Sequence, residues 1–61
     1  MRNEIRSTDN DDGTFDFSEV KEQVDSGVYE ELYCRVIGAD AWERIDKPTF
    51  WYAGNEYKVV F

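Results

Sequence analysis

The sequence predicts a small α+β fold: an acidic N-terminal arm, two or three short helices and a C-terminal β-hairpin. Three observations carry this. Apolar residues recur four apart between Val20 and Ile37, Gly27, Gly38 and Pro48 punctuate the chain, and residues 49–61 alternate around a Gly-Asn pair. At 61 residues the chain has room for a single small domain, 1–61. A chain of this size buries only about 60% of the surface its unfolded form exposes, so packing, an ion or a partner must add stability.

Residues 1–13 are polar, with Ile5 the only apolar residue after Met1. That composition fits a flexible arm. An edge strand is the alternative, with Asn10-Asp11-Asp12-Gly13 turning into Thr14-Phe15-Asp16-Phe17, which alternates polar and aromatic.

Ser18 is a suitable N-cap for a helix over about 18–26. Glu19 and Glu22 favour its start, Val20 and Val24 share one face, and Ser26-Gly27 breaks or bends it. Val28, Tyr29, Leu32, Tyr33, Val36 and Ile37 then form apolar pairs four apart, predicting an amphipathic helix over 28–37 that ends at Gly38. Residues 18–37 also fit one longer helix bent at Gly27. Asp40 can cap a short turn or helix over 40–46, stopped by Lys47-Pro48.

Residues 49–61 read as a hairpin around Gly54-Asn55. Pairing outward from that turn places Phe50, Tyr52, Tyr57, Val59 and Phe61 on the core face. Trp51, with Ala53 and Val60, then falls on the outer face, where Lys58 can stack on it.

The net charge is -7, from fourteen acids and seven bases. The acidity is steepest at the start: residues 1–19 hold six acids and two bases. Such a surface repels phosphate, which disfavours direct nucleic-acid binding and anionic membranes. It speeds encounter with basic protein surfaces. The polar start and the lack of a long apolar run fit a cytoplasmic protein, in a producing or an infected cell.

The segment Thr8–Glu19 resembles the EF-hand calcium loop. Asn10, Asp12, the Thr14 carbonyl, Asp16 and Glu19 fall on ligand positions, and Gly13 falls on the turn glycine. The resemblance implies a calcium-binding module. It covers twelve residues, places Thr8 where the family has Asp, and lacks both an entering helix and a second loop. The preferred reading of the segment is therefore a turn rich in Asp and Gly, with no metal and no cofactor.

Catalysis is not expected. There is no histidine to activate Cys34, and one cysteine makes neither an intramolecular disulfide nor a zinc site. A winged-helix DNA binder would need a basic recognition helix, which this chain lacks. The expected function is a small acidic interaction module. It would dock on the basic surface of a larger nucleic-acid-processing protein and inhibit it, as nucleic-acid-mimicking proteins of phages and mobile elements do. The expected contact residues are Asp9, Asp11, Asp12, Asp16, Glu19, Glu22, Glu30, Glu31 and Trp51. The molecule would act as a monomer or homodimer. An accessory subunit whose acidity is incidental is a further alternative.

Overall fold

The computed structural model describes residues 3–61; Met1 and Arg2, part of the expected arm, lie outside the described residues. The elements run β1 (Glu4–Arg6), β2 (Thr8–Asp9), β3 (Phe15–Asp16), α1 (Ser18–Ser26), β4 (Glu31–Val36), β5 (Glu43–Ile45) and β6 (Asn55–Val60). Four strands form an antiparallel sheet in the order β1-β6-β4-β5, and β2 and β3 make a separate hairpin. The mixed α and β character is present, but sheet dominates.

Helix α1 forms where the sequence places a helix. Val20 and Val24, four apart, are both buried against the sheet. Gly27 ends the helix in the left-handed region at φ 79°, and its N–H donates to the Val24 carbonyl at 3.0 Å. An L side chain there would be strained, which is why glycine serves. The cap differs from the expected one. Phe17 occupies the N-cap position, and the Asp16 carboxylate accepts from the Ser18 N–H at 2.9 Å and from the Ser18 hydroxyl at 2.6 Å. Asp16, not Ser18, thus satisfies an orphan N–H of the first turn.

The helices expected over 28–37 and 40–46 do not form. Residues 31–36 are a strand, β4, paired on both sides by β6 and β5. Register explains its sequence. Leu32 and Cys34 share the α1-facing side with Ile5, Ile45, Tyr57 and Val59, while Tyr33 and Arg35 share the other side with Lys58 and Glu56. A strand covered on both faces shows no clean polar–apolar alternation. Residues 43–45 pair with β4 as an outer strand, so the segment beyond Asp40 extends instead of coiling.

The expected terminal hairpin is also replaced. β6 lies inside the sheet with β1 and β4 as its neighbours, leaving no free edge for residues 49–54. Those residues run as an irregular segment, and the predicted faces are reversed. Trp51 packs against the core, whereas Phe50 and Tyr52 are 62% and 59% exposed. The core is Val20, Val24, Leu32, Tyr57 and Val59, with Ile5, Phe17, Tyr29, Cys34, Ile45 and Trp51 packed around it. The N-terminal segment is an edge strand over residues 4–6 followed by a hairpin, and β1 holds its place through paired bonds between Asn3 and Phe61, both at 2.9 Å.

Candidate interaction surfaces

Four aspartates sit on the β2–β3 hairpin. Asp9 accepts from the Asp11 N–H at 2.9 Å, and Asp12 accepts from the Thr14 N–H at 3.0 Å and from the Thr14 hydroxyl. The Asn10 N–H donates to the Thr14 carbonyl at 3.1 Å, closing the turn. Asp11 and Gly13 both take left-handed backbone, at φ 68° and 87°; Asp and Gly tolerate this better than most residues. The bonds from Thr14 hold the Asp12 carboxyl below the ordinary carboxylate range, and those from Ser18 do the same for Asp16. Both groups are therefore charged at neutral pH.

This geometry differs from a calcium loop. The residues that align with EF-hand ligands form a two-stranded hairpin, entered from strand β1 and not from a helix. The Asp12 and Asp16 oxygens turn to their own chain. Among the described residues no three acidic, cysteine or histidine side chains are placed to share a metal ion. Of the alternative ligand set Asn10, Asp12, Asp16 and Glu19, the three carboxylates form no such group.

The hairpin is tied to the aromatic cluster at its C-terminal root. Phe17 follows Asp16 directly. Its ring stacks on Trp51 with centroids 5.6 Å apart and meets the Tyr57 ring edge-on at 5.3 Å. Trp51 also lies 4.7 Å from Tyr57. At the other root, Ser7 donates its N–H to the Tyr57 carbonyl at 2.9 Å, and its hydroxyl oxygen accepts from the Tyr57 N–H at 2.7 Å. The exposed pair Phe50 and Tyr52 flanks Trp51 in sequence, with their own rings edge-on at 4.7 Å. The Tyr57 hydroxyl fixes this segment by accepting from the Tyr52 N–H at 2.9 Å. One end of the molecule thus carries both the acidic hairpin and an exposed aromatic pair.

The other expected contact residues are dispersed. Glu19 and Glu22 lie on α1 beside Ile5. Glu30 and Glu31 sit at the opposite end of β6, where the Glu30 N–H donates to the Val60 carbonyl at 2.8 Å and the Tyr33 hydroxyl donates to Glu31. Trp51 is half-buried and packs against the core. The exposed aromatics are Phe50 and Tyr52, which the sequence reading put in the core. Pro48, just before them, was the available signal, because proline disfavours an interior strand.

The sheet's outer face has a different character. Arg6, Arg35, Arg44 and Lys58 fall on it by register, with Glu4, Glu31 and Glu56. The other described residues hold eleven acids and only two bases, Lys21 and Lys47. Seven of those acids, with Lys21 as the one base, lie on the hairpin and α1, so these two elements are strongly acidic. On the outer face the Lys58 ammonium lies 4.8 Å from both the Tyr33 and the Trp42 ring centroids, and Arg35 lies 4.4 Å from that of Trp42. Arg35 is also paired with Glu56 at 2.8 Å. These cation–π contacts close the face with the chain's own rings and stems.

Cys34 lies on β4, half-buried and facing the core side. Burial pushes its thiol pKa up, and the nearby Glu43 carboxylate adds to this. Among the described residues no helix is long and apolar enough to cross a membrane. No known family, curated protein or solved structure matches the chain.

Proposed function

We propose that this chain is a small protein-interaction module that docks on a basic surface of a larger protein. The observation that supports this reading is the joining of the acidic hairpin to the exposed Phe50–Tyr52 pair through the Phe17–Trp51 stack. Asp9, Asp11, Asp12 and Asp16 supply the long-range attraction, which raises the association rate. Phe50 and Tyr52 supply apolar area at the contact, where aromatic anchors carry much of the affinity. Glu19 and Glu22 extend the acidic field along α1.

In its most concrete form the partner is a nucleic-acid-processing protein. The carboxylates occupy the groove that receives phosphates, and docking inhibits the partner. The chain acts in the cytoplasm of the producing or infected cell, as a monomer or homodimer, without a cofactor or chemistry of its own. Capture from a lysate of that cell, at low and at high salt, tests this. The reading requires partners with dense Lys/Arg surfaces that are released by salt and by a competing polyanion. Captured proteins without basic surfaces, or capture indifferent to the polyanion, would sink it.

A further inference from the structure

We propose a second binding site at the open edge of β1, which takes an extended basic peptide as a fifth strand. β1 and β5 are the outer strands of the sheet, and β1 is hydrogen-bonded only to β6. The ladder sets which groups are free. Asn3 and Phe61 exchange bonds, and Ser7 bonds to Tyr57, so Ile5 is the intervening bonded position opposite Val59. In an antiparallel ladder the alternate residues, Glu4 and Arg6, then turn N–H and C=O outward. Such a row is a template for another strand.

A groove of about 290 Å³ runs beside this edge, lined by Ile5, Glu19, Glu22, Gln23 and Ser26. The four helix residues fall at i, i+3, i+4 and i+7, so they form one stripe of α1. Ile5 gives the groove an apolar wall. Gln23 and Ser26 are engaged locally, donating to the Val28 and Gln23 carbonyls respectively. The carboxylates of Glu19 and Glu22 have neither a hydrogen-bond nor an ion-pair partner among the described residues, and they lie one helical turn apart.

The occupant follows from charge complementarity. A strand added to β1 points alternate side chains toward the helix, because side chains alternate with period two. Lysine or arginine at those positions reaches Glu19 and Glu22, while the backbone bonds to Glu4 and Arg6. The groove beside the opposite edge holds Arg44 among Glu30, Glu31 and Asp46, and this mixed charge selects no such partner. The β1 site is separate from the hairpin and the Phe50–Tyr52 pair and stands without them.

Amide hydrogen exchange on the full chain tests the site, with a short peptide of alternating lysine and valine as the probe. The peptide should slow exchange at Glu4 and Arg6 at least about fivefold, the scale of one net hydrogen bond. N-methylation of alternate peptide residues should abolish the protection, a glutamate–valine peptide should give none, and Glu19→Gln with Glu22→Gln should weaken binding severalfold. Phe50→Ala with Tyr52→Ala should leave the protection intact, which separates this site from the proposed partner contact. Unchanged exchange at Glu4 and Arg6, protection at β5 instead, or equal binding of the N-methylated peptide would each overturn the proposal.

Discussion

Phe17 and Trp51 stack with ring centroids 5.6 Å apart and planes 23° from parallel. They stand 34 positions apart in a chain of 61, and each brings a different surface to the same place. Phe17 carries the hairpin that ends at Asp16, and Trp51 carries Phe50 and Tyr52. Replacing Phe17 by Ala should cost about 3 kcal/mol, the lower end for a large aromatic truncation. A chain of this length has about 3–9 kcal/mol in total, so that loss is severe. Phe17→Leu should keep the fold, while Trp51 emission shifts to the red and partner affinity falls. Urea titration and fluorescence check this.

The Tyr57 hydroxyl accepts from the Tyr52 N–H while its ring fills the core. Tyr57→Phe keeps the ring and removes the acceptor. The cost should be about 1 kcal/mol in chemical denaturation. Hydrogen exchange at the Tyr52 amide should rise more than at the amides of β6.

Acid should loosen the hairpin before the sheet. The carboxyls of Asp12 and Asp16 titrate below the ordinary value of about 3.9. A depressed folded-state pKa gives stability that is fully present above the unfolded value and lost as pH falls through the folded one. The Thr14 and Ser18 amides should therefore lose protection only below about pH 3.9. Asp12→Asn and Asp16→Asn should remove that pH dependence. Exchange of these amides across an acid titration is the check.

Cys34 should be a slow thiol. Burial and the Glu43 carboxylate hold it protonated at neutral pH, and the thiolate is the reactive form. Reaction with a chromogenic disulfide should be slow in the native protein and fast in denaturant. Glu43→Gln should speed the native reaction modestly.

The helix over 18–26 was legible because its signals agree: Val20 and Val24 on one face, acids early and Gly27 at the end. β4 was not. Half of its helix-like rhythm came from residues outside it, Val28, Tyr29 and Ile37, and of these Val28 and Ile37 are exposed, as is Val36 at the strand's end. Inside β4, Tyr33 and Arg35 lie on the outer face of the sheet, where Lys58 and Trp42 cover them. Which strands neighbour β6 is a long-range choice, and it decided the reversal of Phe50, Trp51 and Tyr52. The acidic stretch was legible as a charged turn from Asp and Gly alone. Its union with the aromatic pair required the Phe17–Trp51 contact, which no local pattern encodes.

Partner capture by matched variants tests whether the acidic hairpin and the Phe50–Tyr52 pair act as one contact surface. One variant changes Asp9, Asp11, Asp12 and Asp16 to Asn, which keeps the turn-forming amide oxygens and removes the charge. The other changes the exposed Phe50 and Tyr52 to Ala. Both should fold with the parent's circular dichroism. Each should lose the salt-sensitive partner that the parent retains, the first through slower association and the second through faster release. Capture of the same partner, equally and with the same salt dependence, by all three proteins would contradict it.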